Sequence, residues 1–388
     1  MILDEITLYG SVIIIIVAIL SSLQNPFFRI GFLRKIKRSQ DAEDAVENEQ
    51  SRPSLSVIIT AQDNAYELEQ HLPIYLNQAY EADFQIIVVS EKGDNDTEDV
   101  LKRFEGNAHF YHTFVPNSSR YMSKKKLAIT LGVKAAKYEW VILTDASCQP
   151  VSENWLNAMA ENCSDDKNLI LGISQYAEDT KPYPRFEHIH TAYYLMRKAV
   201  KSIAYRTNSP LVMFRKSEFM QQNGFSGDLD LVRGEYDFLV NKYARKSSTA
   251  LELSPDARII EDVPTKRTWI NKHIFYQATR KHLRRSLSLR LLYNLDQWAI
   301  HLNLLLILAT LALSIITQRW ILTASAGFAL ILTILLRTII GKKAIREFDE
   351  NLSAWKVFPY EISIVWHNLL NIIRYWRADK YDFTSHKL

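Results

Sequence analysis

Cysteine is nearly absent from this chain: Cys148 and Cys163 are the only two, with neither metal-type spacing nor a pairing pattern. That excludes a disulfide framework, favours a reduced compartment, and leaves both thiols as small buried apolar residues. A dominant charge sign is missing too. The chain has 47 basic and 43 acidic residues, a net charge of +4, which is too even for a nucleic-acid partner by charge alone. There is no internal repeat and no glycine-rich phosphate loop of the dinucleotide or P-loop kind.

Long apolar runs are present, and they set the topology. Residues 6–23 include Val12-Ile13-Ile14-Ile15-Ile16-Val17 and carry no charge. A signal peptide is disfavoured, because no basic segment precedes the run and no small-x-small cleavage site follows it. Asp4 and Glu5 stand before it, whereas Arg29, Arg34, Lys35, Lys37 and Arg38 stand after it. The positive-inside rule then puts the N-terminus outside and the chain beyond Pro26 in the cytoplasm. Further runs at about residues 298–316 and 320–340 are each near the ~20 residues a bilayer crossing needs. Only Thr317-Gln318-Arg319 links them, which predicts a tight helical hairpin, and both its flanks are basic. From Pro359 onward the tail mixes Ile, Leu and Val with Trp366, Trp376 and Arg374. It reads either as a helix lying in the membrane interface or as one packed on the soluble domain.

Between the anchors the pattern is α/β. Acidic, polar residues 39–52 end at Pro53 and read as a linker. Short β-branched runs at residues 55–60, 84–89 and 140–144 alternate with helical patterns at Leu68-Leu72-Leu76, at residues 97–104 and at residues 124–137. Such alternation predicts a mostly parallel sheet with helices on both faces, whose ligands bind beyond the carboxyl ends of the strands. Polar clusters fall at those ends: Asp63-Asn64, Glu91 with Asp94 and Asp96, and Asp145. The expected organisation is an anchor at 1–26, a basic then acidic linker at 27–53, the α/β domain at 54–290, a membrane hairpin at 291–341 and an amphipathic tail at 342–388.

The ordered segments SVIITAQDN, IIVVSEKGDNDTEDVL, SKKKLAITLGVKAA, VILTDASCQP, GEYDF and QATRKH resemble the family 2 glycosyltransferases of GT-A fold, over about residues 55–282. The anchor and hairpin resemble membrane-bound bacterial members. The resemblance implies that Asp145 opens the DxD-like motif as a metal or ribose ligand, with Ser147 in place of the second carboxylate. A divalent cation, Mg2+ or Mn2+, would then be held weakly by protein and largely by the donor diphosphate. Glu91 stands where the nucleotide base is read and Asn64 where many members carry an acid. Thr60 and Ala61 offer backbone contacts, and Lys125 can approach a phosphate. The competing reading of Lys124-Lys125-Lys126 is a solvated face. Asp237 is the first choice for catalytic base and Glu235 the second, with acids decorating a helix start as the bland alternative. Gln277 and Arg280 match QxxR, with Lys281 where the motif has tryptophan; Arg280 can grip a diphosphate or bind lipid headgroups.

The resemblance implies an inverting glycosyltransferase that uses a UDP- or GDP-sugar and a lipid-linked or saccharide acceptor, in cell-surface glycan synthesis. Its expected place is a bacterial-type inner membrane, with several spans and a cytoplasmic catalytic domain. The departures at Asn64, Ser147, Tyr236 and Lys281 keep open a weak or inactive relative that binds nucleotide-sugars as a scaffold. A nucleotidyltransferase is disfavoured, because residues 60–66 hold neither glycine nor a basic residue.

Overall fold

The computed structural model describes residues 4–29, 31, 52–116, 123–379 and 383. Most of the expected linker, including its basic cluster, and the last residues of the tail lie outside that description. In chain order the elements begin with α1 (Glu5–Leu23), β1 (Leu55–Thr60), α2 (Ala65–Leu76), β2 (Phe84–Glu91), α3 (Asn95–Lys102) and β3 (Phe110–Val115). There follow α4 (Lys124–Ala135), β4 (Trp140–Asp145), β5 (Cys148–Pro150), α5 (Trp155–Ala160), β6 (Leu169–Leu171), β7 (Ser174–Tyr176) and α6 (Pro182–Lys201). Next come β8 (Val212–Arg215), α7 (Lys216–Gln221), α8 (Glu235–Tyr243), β9 (Thr249–Leu251), β10 (Ile259–Glu261) and α9 (Lys266–Thr279). The last three are the long helices α10 (Leu287–Ile316), α11 (Trp320–Arg346) and α12 (Ala354–Arg377). The chain divides into two compact units.

The larger unit comprises Phe32–Lys181, Leu195–Arg284 and Asn371–Leu388. Its main sheet has seven strands in the order β3-β2-β1-β4-β8-β6-β9. β1 pairs in parallel with β2 and β4, and β2 with β3. Strand β8 runs antiparallel to both β4 and β6, so the sheet is mixed. Every residue of β1 is buried, as expected of a strand covered on both faces. Leu55, Val57 and Ile59 share a core with Leu68 and Leu72 of α2. On the other face, Gly132 of α4 lies over Ile58, so close that an added Cβ would come within 2.6 Å of its Cγ2. A second sheet, β5-β10-β7, and the short strands β6, β8 and β9 escape the sequence reading. Strands of three or four residues are too brief to show a period of two.

The smaller unit comprises Met1–Gly31, Pro182–Tyr194 and Arg285–Leu370. Three of its helices are long and apolar enough to cross a membrane: Glu5–Leu23, Asn294–Ile316 and Trp320–Arg346, with mean hydropathies of 2.4, 2.3 and 1.9. Ile14, Ala18, Ile307, Ala326 and Ala329 form the seam between them. Small residues let apolar helices approach closely where no hydrophobic force drives them together. Asn303 Nδ2 donates to Thr333 Oγ1 at 3.0 Å, and the Ser314 and Thr323 hydroxyls meet at 2.8 Å.

Candidate active site

The site is built where β1, β2 and β4 end. Parallel strands in register bring Thr60 beside Asp145, because the pairing of β1 with β4 runs out at that couple. Thr60 Oγ1 donates to Asp145 Oδ1 at 3.0 Å. The Tyr236 hydroxyl donates to the same oxygen at 2.8 Å. Lys125 Nζ lies 2.7 Å from Oδ1 and 2.8 Å from Oδ2. Burial opposes ionisation of Asp145, but the Lys125 charge and these three donors outweigh it and hold the carboxyl below its ordinary value.

The lysine run is not a solvated face, because each member has its own task. Ser123 caps α4 by accepting from Lys126 N, and the following turn presents the three lysines in different directions. Lys124 pairs with Glu91 at 2.7 Å, Lys125 with Asp145, and Lys126 is fully buried. The Lys126 ammonium donates to the Asp228 carbonyl and, at 2.6 Å, to the Leu231 carbonyl. It thereby pins the loop that leads into α8.

That loop ends at Gly234, which has φ +97° and caps α8. A Cβ here would lie 2.6 Å from Thr279 Cγ2 at the end of α9. Glycine thus lets the GEYDF segment touch the QATR segment. Tyr236 points to Asp145, and Asp237 lies 3.9 Å from Arg206 Nε. The Arg206 guanidinium in turn stacks 3.7 Å above the Tyr276 ring. Burial pushes Asp237 up to about 6, against the pull of Arg206 and a backbone hydrogen bond from Thr207; Glu235 adds to the rise. Glu235 is buried, and its Oε1 has no hydrogen-bond partner among the described residues.

The remaining candidates fall as follows. Asn64 precedes α2 and its Oδ1 accepts from Gln62 N at 2.9 Å, so it shapes the turn after β1. Ala61 is buried and donates its N–H to the Val89 carbonyl at 3.0 Å. Gln277 is buried, and Arg280 caps α9. The carbonyl of Ser147 accepts from Asp262 N at 2.9 Å. Among the described residues no group of three or more His, Cys, Asp or Glu could hold a metal ion. Asp145 Oδ1 already accepts from Thr60 and Tyr236 and lies against Lys125. As arranged, the donors do not fit a resident metal ion.

Sequence reading missed Arg206 and the pair His71–Asp262, and noted Tyr236 only as a departure from the motif. His71 Nδ1 lies 2.9 Å from the Ala146 carbonyl and Nε2 lies 3.4 Å from Asp262. Both neighbours are acceptors, which favours the doubly protonated ring. Burial opposes that charge, but Asp262 and the carbonyl outweigh it and raise the His71 pKa. Tyr236 and Arg206 had no signal of their own, because their roles exist only once α8, α9 and β4 meet.

Residues 56–221 match the family model described as Glycosyl transferase family 2. The segment 56–221, less than half of the chain, is a family 2 glycosyltransferase domain by this match. No curated protein sequence matches it. Among solved structures it is similar to a mannosyltransferase from Pyrobaculum calidifontis in complex with GDP-Man and Mn2+, at 16% identity and a TM-score of 0.50. That likeness covers 87% of this chain and 100% of the other, and at this identity it shows the GT-A fold. It is also similar to S. aureus TarS residues 1–349 in complex with UDP-GlcNAc, at 11% identity and a TM-score of 0.41, covering 81% and 92% of the two chains. The glycosyltransferase match stops at residue 221, before α8 and α9.

Proposed function

We propose that this chain is an inverting glycosyltransferase that moves a sugar from a UDP- or GDP-linked donor to a lipid-linked or saccharide acceptor in cell-surface glycan synthesis. The single observation that carries the reading is the pair of carboxylates flanking Tyr236. One is held ionised by Lys125, Thr60 and Tyr236, and the other is raised to about 6 by burial. Carboxylates with environments that push their pKa values apart are suited to different roles. Asp145 stays charged and fixes Lys125. Lys125 Nζ sits against both Asp145 oxygens, and since an ammonium has three N–H donors we assign a remaining one to a donor phosphate oxygen. Asp237, near its pKa at neutral pH, accepts the proton of the acceptor hydroxyl.

The step balances. The acceptor oxygen bonds to the anomeric carbon as the carbon–phosphate-oxygen bond breaks on the opposite face, and the nucleoside diphosphate departs with that electron pair. Lys125 and Arg280 are the fixed cations we assign to the leaving diphosphate. Any Mg2+ or Mn2+ is expected to arrive with the donor rather than to reside on the protein.

The engagement of both Asp145 oxygens by Lys125 favours a second reading, a scaffold that binds nucleotide-sugars without turning them over. Release of UDP or GDP from sugar nucleotides by the full-length protein separates the two. The enzyme reading predicts release that Asp145→Asn abolishes. Donor binding without any release would support the scaffold.

A further inference from the structure

We propose that α12 docks on the headgroup layer of an anionic lipid bilayer through one exposed tryptophan-rich face. The helix has two opposed faces. Val357, Glu361, Ile364 and Asn371 are buried, whereas Trp355, Trp366, Leu369, Leu370, Ile373 and Trp376 are exposed. At 3.6 residues per turn the exposed six fall within about a third of the helix circumference, opposite the buried four. By the same geometry Lys356 and Arg374 border that stripe and Arg377 falls within it near the helix end. Three tryptophans flanked by cations are characteristic of the layer where acyl chains meet phosphates.

The packing of the buried face fixes the depth of the helix. Arg337 NH1 donates to Glu361 at 2.9 Å and NH2 to the Ser21 carbonyl at 2.6 Å. Asn25 also donates to Glu361. Gly341 gives Val357 its place, since a Cβ there would come within 2.5 Å of Val357 Cγ1. At the other end of the same helices, Asp4 pairs with Arg319 at 2.7 Å. From Asp4 to Ser21, and from Arg319 to Arg337, the helical rise is roughly 25 Å, close to the ~30 Å of a hydrocarbon core. The locking residues of α12 therefore lie about one membrane thickness from the Asp4–Arg319 end. That is the level of the opposite interface, and the stripe faces away from the helices that hold it.

The test uses full-length protein in lipid nanodiscs, spin-labelled at Ile373→Cys and, separately, at Leu369→Cys. Collision with oxygen and with a water-soluble nickel chelate reports depth. The proposal expects both labels to favour oxygen and to lie near the phosphate level, deeper in discs containing phosphatidylglycerol than in phosphatidylcholine alone. Labels that collide freely with the nickel chelate would overturn it, because the face would then be in water. Protection from both reagents would overturn it as well, in favour of a second copy covering the face. A depth that ignores phosphatidylglycerol would overturn the anionic part.

Discussion

Asp237 carries a cost in stability that bears directly on pH dependence. Its folded pKa of about 6 exceeds the ordinary carboxylate value, because burial disfavours the charge more than Arg206 supports it. A raised folded pKa means that stability is fully present below the unfolded pKa and is lost as pH rises through about 6. Between pH 4 and pH 8 the wild type should lose roughly 2–3 kcal/mol more than Asp237→Asn. Thermal unfolding of both proteins across that range measures the difference, and equal pH profiles would contradict the burial argument. Tyr236 illustrates why residue roles were only partly legible in sequence. Asp145 could be found from its place at a strand end, but its phenol donor belongs to a segment 91 residues later.

At the level of elements, the strands and helices around β1, β2 and β4 were legible because continuous β-branched runs and helical spacing are strong local signals. The lysine run left a solvated face open as a competing reading for a different reason. A run of like charges carries no information about partners supplied by Glu91, Asp145 and the loop at residues 228–231. Gly234 is the element-scale hinge of the site. Gly234→Ala should cost roughly 1–2 kcal/mol from the left-handed backbone alone, plus the clash with Thr279 Cγ2. Adding Thr279→Ser should relieve the closest contact, though not the backbone strain or the 3.1 Å approach to Phe238. Unfolding temperatures of the single and double variants test this; full recovery in the double variant would show that only the clash matters.

At the scale of the whole molecule, three helices among the described residues are long and apolar enough to span a membrane and accompany a GT-A domain. The sequence revealed their number and ends well, since hydropathy and length are local properties, whereas the Arg337–Glu361 lock required the folded helices. The positive-inside reading predicts that a reporter at Gln318 is external and one after Leu388 is cytoplasmic. Protection of the Leu388 reporter from cytoplasmic protease would remove access to cytoplasmic nucleotide-sugars. The central claim is that Asp237 acts on the acceptor proton at a donor site organised by Asp145. Paired measurement of donor affinity and turnover in full-length Asp237→Asn tests it most directly. The account predicts turnover lower by orders of magnitude with donor affinity nearly unchanged. Near-normal turnover in Asp237→Asn, with Glu235→Gln inactive, would contradict it and move the base to Glu235.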